Sequence, residues 1–158
     1  MKRLLAALSV PVLALIVSSA ISAQPSHRDP RIGTWKLNVA KSNDNTRKSE
    51  TRTYTQSGDS VTAHVEIVNN DGSTQAYGDT AKPDGKDYPL TGQGPGGADT
   101  VSMKRVGNTF TYESKKGGNV LITTEVTFSA DGKLMTMTSK GVDASGKPIN
   151  AVRVYDKQ

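Results

Sequence analysis

From Ser60 to Val68 every second position is apolar: Val61, Ala63, Val65 and Ile67 share one face, and Thr62, His64 and Glu66 share the other. A period of two is that of a strand with one dry and one wet side. The same alternation returns along the chain. Phe110 and Tyr112 fall together between Thr109 and Ser114. Val120, Ile122, Val126 and Phe128 fall together in the next run, and Leu134 and Met135 alternate with threonines up to Ser139. These windows are rich in Val, Ile, Thr and Tyr, the residues that suit a pleated, half-buried surface.

Between the runs stand short turn signals: Ser57-Gly58-Asp59, Asn70-Asp71-Gly72, Pro83-Asp84-Gly85, Gly107-Asn108, Gly117-Gly118-Asn119, Ala130-Asp131-Gly132 and Ala144-Ser145-Gly146. Glycine beside Asn or Asp supplies the positive φ of tight hairpins. Connections this short leave no room for crossover helices, so successive strands pair antiparallel. The expectation is an all-β, antiparallel up-and-down meander of about eight to ten strands, which removes its exposed edges by closing into a β-barrel. Two stretches break the pattern. Val39 to Arg52 is polar and reads as a long loop, and Gly92 to Gly97 reads as a flexible connection; either could border an open end of the barrel.

The amino terminus has a different character. Lys2 and Arg3 precede an apolar stretch from Leu4 to Val17, followed by small residues to Ala23. This reads as a secretory signal peptide over residues 1–23, with cleavage after Ala20 as the rival, leaving one domain over 24–158. The expected location is periplasmic or secreted. The chain has no cysteine, so neither a disulfide framework nor lipid attachment at a cysteine is available. Only 34% of the chain is hydrophobic, much of it in the leader. A sheet with one wet face or a polar-lined interior fits such a thin core.

The formal charge of +5 falls by two with the loss of Lys2 and Arg3, and the remaining lysines are interspersed with acids. A nucleic-acid binder would gather them on one face, so nucleic acid is set aside. An outer-membrane barrel needs aromatic girdles, and aromatics are 5% of the chain; no stable membrane insertion is expected. Catalysis finds little support. His64 and Glu66 share a strand face but lack a third partner, His27 lies just after the leader, and no Gly-x-Ser-x-Gly or phosphate-cradling loop occurs. No catalytic residue, metal site or cofactor is assigned.

Two groups of residues at the ends of the domain carry the remaining signal. Gly33-Thr34-Trp35-Lys36-Leu37 holds the only tryptophan, whose large apolar surface suits it to plug a barrel. Arg153 and Tyr155, two apart on a strand, project to one side, where an arginine beside a phenol can grip a carboxylate. Val152 and Val154 could instead be the inward pair, leaving Arg153 in water, or Arg153 could lie over the Trp35 indole.

The opening Gly-x-Trp, together with Ser139-Lys140-Gly141-Val142 and Arg153-Val154-Tyr155 near the end, resembles the calycin superfamily of lipocalins and fatty-acid-binding proteins. The segment Asp84-Gly85-Lys86-Asp87-Tyr88-Pro89 is similar to one in small exported bacterial lipocalin-like proteins. The resemblance implies a barrel whose cavity holds a small hydrophobic or amphipathic molecule. It also implies Gly33 and Trp35 as structural residues at the barrel seam, and Arg153 and Tyr155 as ligand contacts. The polar Val39–Arg52 stretch departs from the fatty-acid-binding type, which carries a helix-turn-helix lid there.

Overall fold

The computed structural model describes residues 29–158; the predicted leader and its cleavage site lie outside the described residues. Eleven strands follow one another: β1 (Gly33–Asn38), β2 (Arg47–Ser57), β3 (Ser60–Asn69), β4 (Thr74–Ala81), β5 (Asp84–Pro89), β6 (Thr91–Gly92), β7 (Thr100–Val106), β8 (Thr109–Lys116), β9 (Asn119–Phe128), β10 (Leu134–Val142) and β11 (Pro148–Lys157). Every pairing is antiparallel, in the order β5-β7-β8-β9-β10-β11-β1-β2-β3-β4-β6. The first and last long strands therefore join, with Trp35 opposite Lys157 and Leu37 opposite Tyr155.

The sheet rolls into a nearly closed barrel with a seam between β4 and β7. The chain itself spans this seam. After β4 it adds β5 to the β7 edge, then returns as β6 to pair with Tyr77 and Gly78 of β4. These two short strands take the number past the eight to ten that periodicity gives. Neither shows clean alternation, because each is a partial seam cover with little buried side chain.

The inner face carries the core. Trp35, Tyr54, Val61, Ala63, Ala81, Met103, Phe110, Val126, Met135, Met137 and Tyr155 form one buried cluster, and Val65, Ile67 and Tyr77 form a second with Leu90 against it. Burying each large side chain contributes roughly 1.5–3 kcal/mol. The outer face carries Thr62, His64, Glu66, Thr123 and Glu125 in water. Among the described residues, no helix is long and apolar enough to cross a membrane.

The segment Asp29–Ile32 plugs one end. The Arg31 backbone carbonyl accepts the Trp35 indole N–H at 2.7 Å, while the Arg31 guanidinium lies 4.3 Å over the Phe110 ring and donates to Asp29 and to the Tyr112 hydroxyl. Phe128 packs against Trp35 at 5.7 Å between ring centroids. The opposite end, the mouth, is bordered by residues 39–46, the β8–β9 and β10–β11 turns and residues 93–99.

Val39–Lys41 is a single 3-10 turn, so among the described residues no helical lid covers this mouth. The predicted loop ends sooner than its polarity suggests, because β2 begins at Arg47. Its inward positions are Glu50, Arg52 and Tyr54, so the strand has no apolar stripe to betray it. The Gly92–Gly97 segment crosses the mouth. The Ala144 amide donates to the Gly96 carbonyl at 2.7 Å. Gly96 has φ +62 and approaches so closely that a Cβ would lie 2.9 Å from Ile122 Cδ1.

Candidate functional site

Strand register brings the polar side chains of β2 into the barrel. Glu50 stands beside Ile67 and Gln75, Arg52 beside Val65 and Tyr77, and Tyr54 beside Ala63 and Asp79. In antiparallel strands, residues directly opposite share a face. Because Val65 and Ile67 are buried inside, the charged residues in their rows are inside as well.

An ion-pair network follows. Glu50 is fully buried and takes Arg47 on one carboxylate oxygen and Arg52 Nε, at 2.5 Å, on the other. The Arg52 guanidinium also donates to Tyr77 Oη at 2.9 Å and Tyr54 Oη at 3.3 Å. Burial pushes the Glu50 carboxyl up, but Arg52 and Arg47 outweigh it and hold it below the ordinary carboxylate range. Glu50 in turn keeps Arg52 protonated against the same desolvation. Buried charges on this scale are tolerated only when paired.

Arg153 and Tyr155 lie on the inner face of β11, in the registers of Met137 and Met135. Arg153 does not stack on Trp35. Lys157 takes that place, with Nζ 5.0 Å from the indole. Gly33 at φ +123 makes room for it, since a Cβ there would press on Lys157 Cε at 3.2 Å. The Arg153 guanidinium instead meets Asp44 at 2.5 Å, and Asp44 also accepts from Thr46 and lies 3.6 Å from Arg47. Burial raises the Asp44 carboxyl, and the Thr46 hydrogen bonds and Arg153 bring it below its usual range. The Tyr155 hydroxyl is buried without a partner, and burial pushes it well above the ordinary phenol.

Between these walls lies a cavity of about 110 Å³, room for several water molecules. Arg47, Arg52, Arg153, Tyr54, Tyr77 and Asp79 supply its polar lining, while Val65, Ile67, Leu90, Val101, Ile122 and Met137 supply its apolar side. Asp79 is raised by burial to about 6, even with Arg31 and Arg52 pulling the other way. A convergence of cationic and phenolic donors on one side and aliphatic surface on the other suits an amphipathic anion.

Sequence reasoning picked out Arg153 and Tyr155 but missed Arg47, Glu50, Arg52 and Asp44. The available signal was the Glu-x-Arg-x-Tyr alternation in Glu50 to Tyr54, separated by Thr51 and Thr53: a period of two written in polar residues. His64 and Glu66, by contrast, are both on the outer face, 3.4 Å apart and well exposed. Among the described residues no cluster of three or more His, Cys, Asp or Glu could hold a metal, so the paired histidine and carboxylate have no third group to work with.

No protein-family model matches the chain, and no curated protein sequence does so. Solved structures do match in shape. The fatty acid transporter REP1-NXSQ is 16% identical with a TM-score of 0.55, over 80% of this chain and 95% of that one. The Schistosoma mansoni fatty acid binding protein in complex with arachidonic acid is 19% identical with a TM-score of 0.55, over 82% and 96%. The zebrafish ileal bile acid-binding protein complexed with cholic acid is 14% identical with a TM-score of 0.52, over 82% and 99%. At such identities the likeness is one of fold.

Proposed function

Because the chain has the calycin-type barrel fold of fatty-acid- and bile-acid-binding proteins, we propose that it is an exported, soluble binding protein that holds a small amphipathic carboxylate without transforming it. One observation carries this reading: Arg47, Arg52 and Arg153 converge on a partly apolar cavity that Tyr54 and Tyr77 also line. A ligand carboxylate takes over Arg153 by replacing Asp44, the carboxylate that the loop at the mouth already presents to it. The alkyl portion then lies along Val65, Ile67, Leu90 and Met137. Export rests on the pattern of Lys2, Arg3 and the apolar run to Val17.

Titration calorimetry with octanoic acid and with octanol tests the reading. The acid is expected to bind at least tenfold more tightly, and Arg153→Leu to erase the difference. Equal binding of acid and alcohol, or no binding by either together with no small molecule in native mass spectra of protein taken from its own host, overturns it. Amino-terminal sequencing of the mature protein tests export, with Gln24 expected first.

A second reading, a structural or interaction protein of the cell envelope without a ligand, is favoured by the completeness of the ion pairing. Each arginine lining the cavity already has an acidic partner. The cavity is also smaller than the roughly 300–1,000 Å³ of usual small-molecule sites.

A further inference from the structure

Resting on the binding reading above, we infer that Arg31 is a specificity-determining residue: its side chain crosses the barrel beneath the cavity and sets how long an alkyl chain the site accepts.

Arg31 belongs to the segment before β1, where the Trp35 indole fixes its backbone by donating to its carbonyl at 2.7 Å. Its guanidinium does not stay on the neighbouring wall. Nη1 donates to the Tyr112 hydroxyl of β8 at 2.8 Å and also meets Met103 Sδ of β7, and the group lies 4.3 Å over the Phe110 ring. In the sheet order β7-β8-β9-β10-β11-β1, those two strands stand five and four places from β1. The side chain, only 2% exposed, therefore spans the interior from wall to wall.

This crossbar lies directly under the cavity. Tyr112 is part of the cavity lining, and Arg31, bonded to its hydroxyl, forms the layer behind it. Beyond Arg31 the interior is again apolar, with Trp35, Phe110 and Met135 fully buried. The guanidinium thus separates the cavity of about 110 Å³ from an apolar end that would otherwise extend it.

The crossbar also carries its own counterion. Asp29, two residues earlier, accepts from Arg31 Nε at 2.9 Å, from Nη2 at 2.7 Å and from the Arg31 amide at 3.0 Å. The charge is answered within the segment, so Arg31 does not draw a ligand's acid away from Arg153. An alkyl chain pressing past it would strip these hydrogen bonds and return none. Stability alone does not call for such a pair, since an apolar filling of similar volume is often as stable or more so.

The test compares octanoic with dodecanoic acid by calorimetry on the purified protein and on the double variant Asp29→Ala with Arg31→Ala, which removes charge and counterion together. Near-ultraviolet circular dichroism establishes that the variant is folded. A methylene moved from water into an apolar site strengthens binding by about fourfold, so four more with room to enter would give on the order of a hundredfold. In the parent protein the two acids are expected to bind within about threefold of each other, because the added methylenes find no apolar site. In the double variant dodecanoic acid is expected to gain about tenfold or more over octanoic acid, as its chain reaches the layer of Trp35 and Phe110. A parent protein that prefers dodecanoic acid by more than about tenfold overturns the inference while leaving the binding reading intact, and this comparison needs no variant. A folded double variant with the same ratio of affinities as the parent also overturns it. Failure of both acids to bind the parent removes the binding reading and this inference with it.

Discussion

The Arg153 guanidinium and the Asp44 carboxylate meet at 2.5 Å inside the mouth of the barrel, tying the last strand to the loop between β1 and β2. Both side chains are largely buried, so the pair acts as a latch and as an internal rival to any ligand acid.

Removing the carboxylate therefore has effects of opposite sign. Asp44→Ala leaves Arg153 unpaired in a desolvated place, and stability is expected to fall by about 2 kcal/mol, read from urea unfolding. The freed guanidinium is expected to bind octanoate more tightly than the parent does. Weaker octanoate binding by a folded Asp44→Ala protein would show that the pair is a structural clasp only.

The Asp79 carboxyl makes stability depend on pH in a definite direction. It titrates near 3.8 in the unfolded chain and near 6 in the barrel. Between those values the folded protein keeps a proton that the unfolded chain has lost, so this group lowers stability as pH rises through the window, by up to about 3 kcal/mol above it. Arg31 and Arg52 face it and limit the penalty. Asp79→Asn is expected to be more stable than the parent at pH 7, with roughly half that gain left at pH 5. The carboxyls of Asp29, Asp44 and Glu50, held low by their arginines, act in the reverse direction in both proteins and cancel in the difference.

Trp35 is wholly buried between the Arg31 carbonyl, Phe128 and Lys157. Its emission is expected to be blue-shifted in the native state and to move red on unfolding, which makes the single tryptophan a direct probe of the plug. Trp35→Ala is expected to destabilise the fold by roughly 3–5 kcal/mol through the cavity it leaves. A loss under 1 kcal/mol by chemical denaturation would mean that the plug end is not part of the cooperative core.

The strap across the mouth depends on Gly96. Its φ of +62 and the 2.9 Å approach of its would-be Cβ to Ile122 leave no place for a side chain. Gly96→Val is expected to lower stability by about 1–2 kcal/mol and to raise hydrogen exchange at the Ala144 amide, which donates to the Gly96 carbonyl. Unchanged exchange at Ala144 would show that the strap tolerates the substitution without lifting.

Much of the architecture was legible because alternation and Gly-containing turns are local signals. Val61 to Ile67 and Val120 to Phe128 declare their inward faces without reference to any partner strand. The meeting of β1 with β11 was legible because both segments carried a familiar pattern, although the seam itself lies elsewhere, between β4 and β7. The acid-base interior of β2 was hidden for a physical reason. Glu50 and Arg52 are interior residues only because each neutralises the other, and Arg47 joins them through a register shift between Arg47 and Ser49. Pairing of that kind is a tertiary fact; read singly, each of these residues belongs in water. Asp44 was hidden for the same reason, since its partner lies at the far end of the chain. Asp79 shares its strand with Tyr77 and Ala81, but Gly78 and Thr80 between them blur the alternation.

Joining β1 to β11 also sets the order of events when the protein forms. Most other pairings link strands adjacent in sequence, whereas Trp35 must find Lys157 across more than a hundred residues, the contact with the greatest entropic barrier to closure. The hairpins can zip from any turn, but β1 finds this partner only after β11 has been made. A chain halted before Pro148 would present β1 and β10 as raw edges, so the making of β11 is the step that separates a rolled vessel from an aggregation-prone sheet.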